Sequence, residues 1–102
     1  MKHSEVTLVR VYCSEAGHQH QRIIDMLHGD HRVSGVTAFR GIAGFGKSGH
    51  IHEAGLLDVS LDLPVIIEFF DRPDKVAKVL PLINEMLGPG QIVSWPATAN
   101  LE

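Results

Sequence analysis

Cysteine is nearly missing from this sequence: Cys13 stands alone, so no disulfide can form within the chain. A reducing compartment therefore suits it better than a secreted setting, and Cys13 itself reads as a packing residue. An excess of positive charge is missing too. Nine Lys and Arg against twelve Asp and Glu give a formal net charge of −3. That leaves no broad basic field to neutralise a phosphate backbone and argues against nucleic acid as a partner. No apolar stretch approaches membrane-spanning length, and Met1-Lys2-His3 passes directly into the alternating run from Glu5 to Tyr12. Neither a leader nor a spanning helix is expected, which makes the reading a soluble, cytoplasmic protein. Aromatics are sparse at 6%, with Tyr12 and Trp95 each the only one of its kind.

What is present is aliphatic. Hydrophobic residues make up 44% of 102 positions, enough for one modest core and too short a chain for two. A single domain over residues 1–102 is expected, and Leu101-Glu102, which follows no pattern, reads as a cloning remnant.

Val6, Leu8, Val9, Val11 and Tyr12 predict a first strand with apolar groups on both faces. Ser14 is placed to cap a helix over about Glu15 to His28, in which Ile23, Ile24 and Leu27 share a face and Gly29-Asp30 marks the stop. Gly35 to Phe45 predicts a second strand whose end the glycines make pliable. Gly46 to Ser60 has no sustained period and reads as a long connection. Val65-Ile66-Ile67-Glu68-Phe69-Phe70 is the clearest strand, ending at Asp71. Pro73 then suits the first turn of a helix carrying Val76, Val79, Leu80, Ile83 and Leu87, closed by Gly88-Pro89, with a bend expected at Pro81. Gln91 to Trp95 predicts a short last strand.

Strand, helix, strand, strand, helix, strand is the order of the ferredoxin-like βαββαβ unit, an α+β fold with a four-stranded antiparallel sheet and two helices on one face. Its first and third strands are central neighbours. Arg10 and Glu68, each interrupting an apolar run, are therefore predicted to pair, and the uncovered sheet face implies self-association. Trp95, ending an apolar strand, reads as a core or subunit contact in preference to a stacking platform.

Gly41-Ile42-Ala43-Gly44-Phe45-Gly46-Lys47-Ser48 fits the phosphate-cradling pattern G-x-x-x-x-G-K-[ST]. Such a loop must lead into a helix whose N-terminus faces the phosphates, whereas Gly49 and Gly55 interrupt the residues that follow, and a parallel sheet does not fit this length. The dinucleotide pattern Gly44-x-Gly46-x-x-Gly49 fails the same requirement. Seven histidines raise a metal reading, for which His50, His52 and Glu53 are the best candidate ligands. They make an incomplete set unless neighbouring subunits contribute. No segment concentrates a nucleophile with a base, or paired carboxylates, so a binding module is expected and not an enzyme.

The run from Arg40 through Gly41, Gly44, Gly46, Lys47 and Ser48 to His50, followed by Leu61-Asp62-Leu63-Pro64-Val65-Ile66-Ile67-Glu68, resembles a family of PII-like proteins, sometimes encoded with fluoride or camphor-resistance channels. The resemblance extends from Val9-Arg10-Val11-Tyr12 to Trp95. It implies a homotrimeric signalling protein that binds a small ligand, an adenine nucleotide in true PII regulators, at clefts between subunits. It also implies that the connection over about 46–60 is a T-loop presented to a protein or membrane-transporter partner. Ligand contacts then fall on Arg40, Gly41, Gly44, Gly46, Lys47, Ser48 and Glu68. The sequence departs from PII at Leu87-Gly88-Pro89-Gly90-Gln91, too short for the lysine-bearing loop that grips phosphates, and it has no arginine after Trp95 and no tyrosine between Gly49 and Ser60. Divalent-ion tolerance proteins, also trimeric, are the alternative resemblance if the histidines bind metal.

Overall fold

The computed structural model describes residues 2–45, 51–53 and 63–101. Strand β1 (Ser4–Ser14) alternates buried Val9, Val11 and Cys13 with Leu8, Arg10 and Tyr12, which stay in contact with solvent. The two-residue period of a pleated strand sends these sets to opposite faces. Strand β5 (Pro64–Asp71) does the same with Val65, Ile67 and Phe69 against Ile66, Glu68 and Phe70. β1 pairs with β5 in antiparallel register, Val9 opposite Phe69 and Arg10 opposite Glu68. β2 (Val36–Arg40) and β6 (Ile92–Ala99) flank them, giving the order β2-β5-β1-β6 with every pairing antiparallel.

Helix α1 (Gln19–His28) buries Ile23 and Leu27, one turn apart, and α2 (Pro73–Met86) buries Val76, Val79 and Ile83. These side chains meet Val9, Val11, Cys13, Ile67 and Phe69 in one cluster, which places both helices on the same side of the sheet. Burying each such aliphatic side chain contributes about 1.5–3 kcal/mol. Val6, of the other parity, is also buried and stands opposite Ala97 in register. The ferredoxin-like α+β order expected from the sequence is the one observed.

Local boundaries differ in three places for identifiable reasons. Ser14 does not cap a helix: β1 extends through it to pair with Pro64. A short 3₁₀ turn (Ala16–His18) intervenes, with Gly17 and His18 at φ of 81° and 56°, before α1 begins. The second strand stops at Arg40. Ala43–Gly44 (β3) instead pairs with His52–Glu53 (β4) in a separate two-stranded ladder, so the connection to β5 starts as a ribbon. The last strand runs beyond Trp95 to Ala99, through Pro96, which an edge strand accommodates because one row of its amides needs no ladder partner. α2 continues through Pro81, whose ring is exposed.

Asp71 ties the end of β5 to the turn preceding β2. Its two carboxylate oxygens accept the amides of Ser34, at 3.1 Å, and Arg72, at 2.7 Å. Pro73 in the first turn and Asp74 beside it then start α2 without a side-chain cap.

Candidate functional site

Two features lie outside the core. The first is the sheet face away from the helices. Strand alternation brings Leu8, Arg10 and Tyr12 of β1 to it, with Ile66, Glu68 and Phe70 of β5, Phe39 of β2, and Val93 and Trp95 of β6. Tyr12, Phe39, Val93 and Trp95 are each 39–46% exposed. Near the middle, Arg10 Nε donates to Glu68 Oε1 at 2.8 Å, the pair predicted from the two interrupted apolar runs. The hydrogen bond to Glu68, with a smaller contribution from Tyr12, raises the Arg10 guanidinium above its ordinary range.

The second feature is the root of the connection between β2 and β5. Arg40 forms an ion pair with Glu15, whose side chain is 9% exposed against 67% for Arg40. The amide of Gly41 donates to the Pro64 carbonyl at 2.7 Å, and that of Glu15 to the Leu63 carbonyl at 3.0 Å. The Pro64 ring packs so closely that a Cβ on Gly41 would lie 2.7 Å from its Cγ, and one on Gly44 3.3 Å. That close approach alone is reason for a glycine at position 41.

The predicted ligand residues fall into separate places. Arg40, Gly41 and Gly44 gather at the root. Glu68 lies on the open face, and Arg40, opposite Val65 in register, belongs to the helix side, so a single chain does not bring them together. Gly46, Lys47, Ser48 and His50 lie outside the described residues. The backbones of His52 and Glu53 stand opposite Gly44 and Ala43 in the β3–β4 ladder. Among the described residues no three His, Cys, Asp or Glu side chains form a metal-holding group. His18 and His20 have ring centroids 6.4 Å apart, and the His20 Nδ1 is buried without a partner.

The short connection after α2 is held against β1 by one residue. Gln91 Oε1 accepts the Gly88 amide at 2.8 Å, Gln91 Nε2 donates to the Tyr12 carbonyl at 3.0 Å, and the Tyr12 amide donates to the Gln91 carbonyl at 2.8 Å. Sequence reasoning missed Gln91 and Glu15. Their partners lie 79 and 25 positions away, beyond any local period, and only the isolated acid directly after a strand hinted at Glu15.

Residues 6–99 match the DUF190 family, described as Uncharacterized ACR, COG1993. The chain belongs to that family. This DUF190 protein is 38% identical over 55 residues to UPF0166 protein MJ1524 of Methanocaldococcus jannaschii, a match covering 54% of this chain and 50% of the other. It therefore spans about half the length of that relative. Among solved structures it is similar to CPII, a nitrogen regulatory PII-like protein from Thiomonas intermedia bound to ADP, AMP and bicarbonate. The TM-score is 0.70 and the identity 18%, over 96% of this chain and 91% of that one. It is also similar to the divalent ion tolerance protein CutA1 of Ehrlichia chaffeensis, with TM-score 0.61 and 12% identity over 95% and 83% of the two chains. At these identities the likeness establishes the fold, which is PII-like, as the motif resemblance implied. No helix among the described residues is long and apolar enough to cross a membrane.

Proposed function

We propose that this DUF190 protein is a PII-like regulatory module, a single cytoplasmic domain working as a homotrimer. It binds a small ligand in clefts between copies and presents residues 46–60 to a protein or membrane-transporter partner, without catalysing a reaction. The observation that carries the reading is the open sheet face. Tyr12, Phe39, Val93 and Trp95 sit around an ion pair already satisfied within the chain. A contiguous apolar face of this kind is favourably removed from water by another copy of itself.

The division of the ligand residues supports a site between copies. Glu68 on the open face and the Arg40–Gly44 root at the sheet edge lie apart in one chain, so a ligand touching both bridges two chains. The Gln91-locked turn carries no lysine or arginine, so phosphates would be held chiefly from the root, by Arg40, Lys47 and the amides around Gly41 to Ser48. A regulatory output requires only that the ligand favour one arrangement of the connection over another.

The complex of the Thiomonas protein makes ADP and bicarbonate the first probes. Native mass spectrometry with and without each, alongside thermal melts, is the test. A three-copy mass and a melting temperature that rises with probe concentration support the reading; a monomer whose melting temperature neither probe moves contradicts it. The second reading is a metal-binding module with His50, His52 and Glu53 as ligands. It rests on the likeness to CutA1 and predicts zinc or copper binding that His50→Ala/His52→Ala abolishes.

A further inference from the structure

Glu15 is the one buried polar or charged residue among the described residues, at 8% exposure. Nothing in the helix-side core calls for a charge there. Its carboxylate pairs with Arg40, the last residue of β2, where the connection leaves the sheet. Its backbone amide donates to Leu63, 3.0 Å away, where the connection returns. One residue further along each arm, Gly41 donates to Pro64 at 2.7 Å. A single residue from the β1–α1 turn thus grips both arms of a connection whose ends are more than twenty positions apart in sequence.

We infer that Glu15 is a positioning residue, setting the geometry in which Arg40–Gly44 and Leu63–Pro64 leave and rejoin the sheet. A carboxylate taken out of water needs a compensating cation, and Arg40 supplies it while most of the guanidinium side chain stays in solvent. The grip has a fixed half and an open half. The fixed half is the turn itself: the Glu15 backbone carbonyl accepts the His18 amide at 3.2 Å, and the left-handed backbone of Gly17 and His18 redirects the chain into α1. The open half is Arg40. Changing the charge at either residue loosens the root while the sheet and helices persist, whether or not a ligand binds there.

Hydrogen exchange of the full chain, followed by mass spectrometry, tests this with Glu15→Gln, Arg40→Gln and Arg40→Lys. In both glutamine variants the amides of residues 15 and 41–44 should exchange at least tenfold faster than in the parent. Those of Val65–Phe70 and of α2 should be unchanged. Arg40→Lys, which keeps the charge, should restore most of the protection. Should Glu15→Gln fail to fold, Arg40→Gln alters an exposed side chain and carries the test alone. Root exchange within twofold of the parent in Arg40→Gln would overturn the assignment. So would an equal acceleration across β5 and α2, which would mark general destabilisation.

Discussion

Arg10 and Glu68 meet across the two central strands, Nε to Oε1 at 2.8 Å, on the sheet face that carries Tyr12, Phe39, Val93 and Trp95. In a lone chain both ends of the pair keep contact with water, at 39% and 27% exposure. In the proposed assembly other copies would cover this face and remove that water, so the pair would have to enter the interface already matched. An unmatched charge would be more damaging there than no charge at all.

Single replacements, Arg10→Met or Glu68→Met, should therefore weaken self-association more than the double replacement Arg10→Met/Glu68→Met. Sedimentation equilibrium of the three variants checks the order. The hydrogen bond to Glu68 holds the guanidinium pKa above its ordinary value. Its contribution is thus fully present below that range and lost only as pH rises through it, so Arg10 adds no slope between about pH 6 and 9.

That pair was legible in the sequence because each charge breaks an apolar run on a strand whose neighbour the fold order fixes. The helix-side core was legible for the same reason: Val76, Val79 and Ile83 keep helical spacing, and Val65, Ile67 and Phe69 keep strand spacing. The root was not. Glu15 sits in the turn after β1 and Arg40 at the end of β2, and they meet only when β1 and β2 flank β5, so no periodicity announces them. The glycines of the apparent phosphate loop were visible in the sequence, but that Gly41 and Gly44 make room for the Pro64 ring was not, because Pro64 lies twenty or more positions away.

Gly41→Ala should destabilise the fold by about 1–3 kcal/mol, because the new methyl would overlap a proline ring that cannot swing aside. Gly44→Ala, with its contact at 3.3 Å, should cost less than about 1 kcal/mol. Urea unfolding of both variants with unchanged slope checks the ranking.

Ile67→Ala removes a fully buried side chain from the centre of the sheet and should cost about 2–5 kcal/mol. Ile42→Ala, at a residue 81% exposed beside the root, should stay within about 0.5 kcal/mol. If the two cost the same, the core has been placed wrongly.

Cys13 is buried on the helix side, and burial raises its thiol pKa. Iodoacetamide should label it at least tenfold more slowly in the native protein than in urea. The native state keeps the proton to higher pH than the unfolded chain, so the stability this group contributes is present below the unfolded thiol's pKa. It declines as pH rises from there through the raised native value.

Trp95 is 39% exposed in the single chain and lies on the face that self-association would cover. Trp95→Glu should therefore dissociate the assembly while leaving α1 and α2 packed, giving a monomer with the parent's far-ultraviolet circular dichroism.

Self-association through the open face is tested most directly by the mass of the native protein at micromolar concentration, from native mass spectrometry or sedimentation velocity. Assembly through the open sheet face predicts three copies for the parent chain and one for Trp95→Glu. A parent that remains a monomer would show that the open sheet face is not where copies of this chain meet, and the proposed site between subunits would fall with it.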